Sequence, residues 1–323
     1  LKEKLKRVMI IDGNNSFLRN YVVDPSLSTN GDPIGGCKGF LKSLQKQCRI
    51  LKPDSVIVTW DGAGGSTKRK SMNKGYKDGR KPLRLNRTNS YLTEDQELQN
   101  RLWQHHRLIE YLNEFPIAQF VFDGVEADDV IAYCVRKLKG CEKVIVSADK
   151  DFFQLCDDST ILYRPIQNQF VNKNYILENF NIHPTNFALA RACAGDASDN
   201  IKGIPGVGLK TLAKRFPSLA QEKEIFVDDM VSLSETQDKK FKVHESIIKH
   251  AETIKGNYDL MQLYVPMISP QVAKKIDWVL DEWNADFSQM NIQKMMIKDG
   301  FGEYNFSLLY ATMRKISLQK SQI

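Results

Sequence analysis

Short apolar runs and helical stripes alternate along the first half of the chain. Residues 7–11 form an apolar run that stops at Asp12, and the β-branched run 55–60 stops at Asp61. Between them, residues 36–51 put Phe40, Leu41, Leu44 and Cys48 on one face of a helix. Thr93-Glu94-Asp95 opens a second helix, whose apolar positions run through Leu98, Leu102, Leu108 and Leu112 to Phe115. Residues 116–122, 143–147 and 160–163 read as further strands, with a helix over 125–139 that ends in Lys and Arg. This alternation predicts an α/β fold, a parallel sheet with helices on both faces. From about residue 172 the pattern is helical with little strand character, and no period of 20–50 residues marks a repeat protein.

Charge changes the picture once it is resolved along the chain. The 46 basic and 39 acidic residues sum to +7. Between 62 and 92 stand nine bases (Lys68, Arg69, Lys70, Lys74, Lys77, Arg80, Lys81, Arg84, Arg87) and one acid, Asp78. That segment carries +8, so the remainder carries −1. A charge run is ordinarily a solvated linker. Here Tyr76 and Tyr91 offer stacking faces among the cations, a combination suited to a nucleic-acid backbone. No apolar run approaches the ~20 residues of a membrane span, and residues 1–7 lack the apolar stretch of a signal peptide. Six scattered cysteines without a C-x-x-C pair read as reduced core thiols. The expectation is a cytoplasmic monomer with no membrane partner.

The strand ends carry the candidate chemistry. In open parallel sheets the functional crevice lies beyond the carboxyl ends of the strands. Asp12 and Asp61 follow the first two strands, Glu126, Asp128 and Asp129 come just after the third, and Asp149 and Asp151 just after the fourth. One such Asp is ordinarily a turn former or helix cap. Four strands delivering acids to one edge call for cations, because clustered carboxylates repel. All-oxygen ligands select hard divalent ions, Mg²⁺ with Mn²⁺ as substitute, and two such ions suit phosphodiester hydrolysis. Asp196 and Asp199, three residues apart, add a further pair. Next, Gly203, Gly206 and Gly208 precede an apolar helix in the pattern G-I-P-G-V-G-L-K-T, that of a helix–hairpin–helix turn. Its amides, with Lys210, suit a DNA phosphate.

Six ordered motifs carry a resemblance. They are I-I-D-G-N-N at Asp12, the strand ending at Asp61, the K-R…Y-K-x-x-R run from Lys68 to Arg80, G-V-E-A-D-D at Glu126–Asp129, S-A-D-K-D at Asp149–Asp151, and G-D-x-x-D-N-I-x-G-I-P-G-V-G from Gly195. Together they resemble the 5′-nuclease superfamily: flap endonucleases, the 5′-nuclease domain of bacterial DNA polymerase I, and phage 5′-exonucleases and ribonucleases H. A chain of this size without a polymerase looks most like the phage-type members. The resemblance implies a PIN-like nuclease core over residues 1–170 with a helical arch at about 62–92. A helical region over 171–323 follows, with the hairpin motif at about 195–216. It implies a two-metal enzyme cutting near the 5′ end of flap, nicked or RNA-primed DNA. Asp12, Asp61, Glu126, Asp128 and Asp129 would surround one metal and Asp196 and Asp199 the other, with Asp149 and Asp151 between them. Whether Asp128 or Asp129 is the direct ligand stays open.

Lys77 and Arg80 match the arch cations beside the scissile phosphate, with Lys68, Arg69, Lys70, Lys74, Lys81 and Arg84 along the strand and Tyr76 stacking on a base. Gly203, Gly206, Val207, Gly208, Lys210 and Thr211 match the duplex-binding turn, which in the family often holds K⁺. Branched DNA, RNA–DNA hybrids and replication proteins such as a single-strand-binding protein are the implied partners. The arch departs from the commoner Y-K-x-N-R in reading Y-K-D-G-R, and Thr211 stands where some relatives carry a second base. Little beyond Phe216 can be matched, and no sliding-clamp box is evident. A PIN-like ribonuclease would not need the arch or the hairpin, and a non-catalytic DNA-binding protein would not need nine acids.

Overall fold

The computed structural model describes residues 5–79, 83–86, 91–237, 241–282 and 287–320. The chain begins β1 (Arg7–Asp12), α1 (Gly13–Val23), α2 (Gly35–Leu51), β2 (Ser55–Asp61), α3 (Thr67–Met72), α4 (Glu94–Asn113), β3 (Ala118–Phe122) and α5 (Ala127–Lys137). It continues through β4 (Glu142–Val146), a tight 3-10 turn at Asp151–Leu155, β5 (Thr160–Arg164), β6 (Gln169–Val171), α6 (Lys173–Phe180) and α7 (Pro184–Ala194). A two-stranded ribbon, β7 (Gly195–Asp196) and β8 (Ile201–Lys202), leads into α8 (Leu209–Arg215). The remaining helices are α9 (Val227–Glu235), α10 (Lys242–Lys249), α11 (Ala251–Met261), α12 (Pro270–Asp281), α13 (Gln289–Lys298) and α14 (Phe306–Lys320).

The strand runs pair as their apolar composition demands. Six strands form one sheet in the order β3-β2-β1-β4-β5-β6, parallel except for β6, which runs antiparallel to β5 at the edge. Side chains alternate between two cores, as the period of two requires. Met9, Ile11, Val58, Trp60, Val144 and Val146 face one core, and Val8, Ile10, Ile57, Ile145 and Leu162 face the other. No helix is long and apolar enough to cross a membrane among the described residues. All six cysteines are free thiols, and all but Cys141 are buried.

Local chemistry sets the helix boundaries. Thr93 caps α4 in a capping box: its hydroxyl accepts from Gln96 N at 3.3 Å, and Gln96 Oε1 accepts from Thr93 N at 2.9 Å. Asp12 ends β1 and caps α1, accepting from Asn15 N at 3.0 Å. Gly62 follows β2 where a Cβ would lie 1.8 Å from the Phe122 carbonyl, so only glycine lets the chain leave the sheet there. The helical second half covers both faces of the sheet. Residues of α6 to α12 join the core beside α5, whereas Ile292 and Met296 of α13 and Leu309, Met313 and Ile316 of α14 return to the core beneath α2 and α4.

Candidate metal and nucleic-acid site

The parallel register brings the ends of β1, β2 and β4 to one edge, with Asp12 opposite Thr59 and Ile11 opposite Val146. Hydrogen bonds then fix the acids relative to one another. Ser147 Oγ donates to Asp12 Oδ2 at 2.9 Å and accepts from Asp149 N at 3.1 Å, tying the β1 end to the loop after β4. Asn14 Nδ2 donates to Asp61 at 2.6 Å, and Asp61 also accepts from Ala127 N at 2.8 Å. Asp149 in turn accepts from Asp151 N at 2.8 Å.

Electrostatics divides these acids. Burial pushes the Asp12 carboxyl up to about 7, despite bonds from Asn15 and Ser147 that favour its charge. Asp128 is raised well above the ordinary value by burial and by the charges of Asp149 and Asp12. Asp149 is raised, chiefly by burial, and Asp151 is pushed up to about 7 by burial and by Asp149. Asp128, Asp151 and Asp199 line one small cavity, walled by Arg69 and Tyr76. Like charges so arranged lower their free energy by taking up cations. Among the described residues no three His, Cys, Asp or Glu side chains enclose a point as they stand, so the acids converge without forming a closed cage.

Glu126 behaves differently. Burial raises its pKa, but Lys77 and Arg69 outweigh burial and hold it below the usual carboxylate range. It accepts from Ser66 Oγ at 2.5 Å, Arg69 Nη1 at 2.6 Å, Lys77 Nζ at 2.7 Å and Tyr76 OH at 3.3 Å. Lys77 sits at φ +59°, a left-handed conformation unusual for a lysine, with its amide donating to the Asp199 carbonyl at 2.9 Å. The first half of the basic segment is thereby docked on the body. Lys68 Nζ reaches the Met267 carbonyl at 2.8 Å, and Asn200 Nδ2 reaches that of Gly75 at 2.9 Å.

The glycine-rich turn follows α7 and the β7–β8 ribbon. Gly206 (φ +74°), Gly208 and Lys210 are exposed, and Gly208 caps α8.

Residues 7–181 match the family of 5′-3′ exonuclease N-terminal resolvase-like domains. The chain belongs to this family. It is 30% identical over 224 residues to a 5′-3′ exonuclease of Buchnera aphidicola, covering 67% of this chain and 72% of that one. With a 5′-3′ exonuclease of Aquifex aeolicus it shares 31% over 214 residues, 64% of this chain and 68% of that one. It is 29% identical over 266 residues to the thermostable DNA polymerase I of Thermus aquaticus, which is 81% of this chain but 29% of the polymerase. The phage T5 D15 protein co-crystallised with metal ions has the same fold, with a TM-score of 0.62 at 19% identity over 96% of this chain and 99% of that one.

Within this family fold, several expected contacts fall elsewhere. Arg69 is no strand contact as placed: it is 4% exposed and paired with Glu126 and Asp129. Tyr76 is buried with its hydroxyl on Glu126, so its ring is not open to a base. Asp129 is held by Arg69 at 2.7 and 3.1 Å and by Met267 N at 2.9 Å, which leaves Asp128 as the acid of that pair facing the cluster. Gly203 is half-buried with its Cβ direction closed, since a Cβ there would lie 2.0 Å from the Ala194 carbonyl, and Val207 is buried in the core. Lys68, Lys70, Lys74 and Arg84 are exposed and Thr211 is half-buried, while Lys70 pairs with Asp78 at 3.2 Å. The helix in the described part of the arch is the short α3, followed by turns to Gly79. Arg80 and Lys81 lie outside the described residues.

Two arginines escaped the sequence reading. Arg191 on α7 bridges Asp151, at 3.1 Å, and Asp196, where it joins Ser198 in holding that carboxyl below its usual range against the effect of burial. Arg19, seven residues after Asp12, buries both terminal nitrogens without a hydrogen-bond partner, and burial lowers its pKa while the Asp12 charge raises it. A lone cation on an otherwise apolar helix face was the available signal for Arg191.

Proposed function

We propose that the protein is a divalent-metal-dependent 5′-nuclease that cuts near the 5′ end of flap, nicked or RNA-primed DNA, in primer removal and repair. The convergence of Asp12, which is buried, and of half-buried Asp128, Asp149 and Asp151, all with raised pKa values at one sheet edge, carries this reading. The donor set fits hard cations, being all carboxylate oxygens, more of them than Arg69, Lys77 and Arg191 compensate. Asp12, Asp61, Glu126 and Asp128 would surround one Mg²⁺ (or Mn²⁺) and Asp196 and Asp199 the other, with Asp149 and Asp151 between them. The ions, when bound, supply an activated water and neutralise charge on the scissile phosphate. Lys77, at the mouth of the acid cluster, adds a charged donor for that phosphate. Exposed Lys68, Lys70, Lys74 and Arg84 track the single strand, and the turn at Gly206, Gly208 and Lys210 meets the duplex.

The test is a digest of a 5′-labelled flap, a nicked duplex and an RNA–DNA hybrid with Mg²⁺, mapped by product length. Cleavage near the 5′ junction is expected, and Asp149→Asn should lose turnover while still binding the flap in Ca²⁺. Normal Mg²⁺-dependent turnover in Asp149→Asn would sink the metal assignment.

A further inference from the structure

The basic segment contains two kinds of cation, and the distinction has a chemical consequence. Arg69 projects inward from α3 and donates to four acceptors. Its Nε reaches the Leu260 carbonyl at 2.9 Å; Nη1 reaches Glu126 at 2.6 Å and Asp129 at 2.7 Å; Nη2 reaches Asp129 at 3.1 Å. Asp129 Oδ1 also accepts from Met267 N at 2.9 Å. One guanidinium thus joins the root of the arch, the start of α5 and the last turn of α11. The two acids it grips, Glu126 and Asp129, flank Asp128, which faces the carboxylate cluster.

Lys77 holds the other oxygen of Glu126 with one ion pair at 2.7 Å, from a more exposed side chain, 17% against 4% for Arg69. A planar fork fixed at several points is hard to exchange, whereas an ammonium on a flexible stem is not.

We infer that Arg69 is a positioning residue of the metal site. It fixes Glu126 and the turn bearing Asp128 for cation binding and ties that turn to the arch root. Lys77 is the cation free to leave Glu126 for the phosphate of an incoming strand. The inference rests on the metal-dependent nuclease reading, and it reverses what the charge run implies for Arg69.

The test measures Mn²⁺ binding to the DNA-free protein by electron paramagnetic resonance, with flap affinity in Ca²⁺ and steady-state cleavage alongside. Arg69→Lys keeps the charge and loses the fork. Groups that hold a metal ligand from outside typically account for about 10–100-fold in metal affinity. Arg69→Lys should therefore weaken Mn²⁺ binding by about 10-fold and lower kcat, while KM for DNA and flap affinity stay within about 3-fold of wild type. Lys70→Ala should do the reverse, weakening the flap and leaving Mn²⁺ unchanged. Asp129→Asn removes the acceptor of the fork by an independent route; it should reproduce the Mn²⁺ defect, and the double variant should add little to either single one. Unchanged Mn²⁺ affinity with weakened flap binding in Arg69→Lys would overturn the inference and restore Arg69 as a strand contact. Wild-type protein that binds no Mn²⁺ would overturn the nuclease reading itself, a different result.

Discussion

Glu126 and Asp129 stand on either side of Asp128 at one helix start, yet the three acids live in opposite electrostatic regimes. The outer two are fully compensated: Arg69 grips both, and Lys77 completes Glu126. Asp128 meets mainly other carboxylates, Asp149 and Asp12 above all, and its pKa climbs. Asp12 and Asp149 share that second regime, while Asp151, raised by burial and by Asp149, stands between the two because it also pairs with Arg191. Acidity in the sequence thus divides into acids already held by the protein's own cations and acids crowded by like charge. A buried pair is costly to break because the survivor is left uncompensated. An acid crowded by like charges has no such bond to lose.

The largest effects should come from crossing that boundary one residue at a time. Asp128→Asn should cut Mg²⁺-dependent flap cleavage on the order of 10³-fold, while metal-free thermal stability rises by about 1 kcal/mol as one like charge is relieved. Asp129→Asn should behave oppositely in stability, losing about 3 kcal/mol because Arg69 forfeits its bidentate partner. Urea melts of the two metal-free variants check this. Equal destabilisation by both would erase the division between compensated and uncompensated acids.

Lys77→Ala should follow. The lysine is the more exposed of the two cations on Glu126, and burial lowers its pKa by less than Glu126 and Asp128 raise it, so it remains charged. Its loss should reduce single-turnover cleavage by about 10²-fold and change flap affinity in Ca²⁺ far less. Parallel losses in rate and affinity would make Lys77 a strand holder only.

The acids were legible because β-branched runs such as 55–60 mark where a strand must end, and parallel pairing then fixes which edge those ends share. The sorting among them was not. A count of charges between 62 and 92 records nine bases but not which of them points inward. Arg69 and Tyr76 lie on the inner side of a short helix and turn whose burial depends on α11, far along the sequence. α1 was missed for a related reason: Asp12-Gly-Asn-Asn15 has the composition of a turn, and its helix forms because Asp12 caps it. The helical second half showed its period but not its partners. Nothing in the apolar spacing of α13 and α14 says that they return to the face under α2 and α4, while α6 to α12 take the other.

The smallest effect concerns cations that stay outside both regimes. Lys210 is exposed beside Gly206 and Gly208, and no shared bond with an acid ties it down among the hydrogen bonds and ion pairs of the described turn. A phosphate contact there predicts that Lys210→Ala weakens duplex binding only a few-fold and flattens the slope of log Kd against log salt by about one. Arg69→Gln, which removes an equal charge from within the fold, should leave that slope unchanged in the same basic protein. Fluorescence anisotropy of a labelled flap across a salt series separates the two. A slope that fell equally in both variants would mean that the arch root opens in solution and presents Arg69 to the strand, and the contrast between inward and outward cations would have to be redrawn.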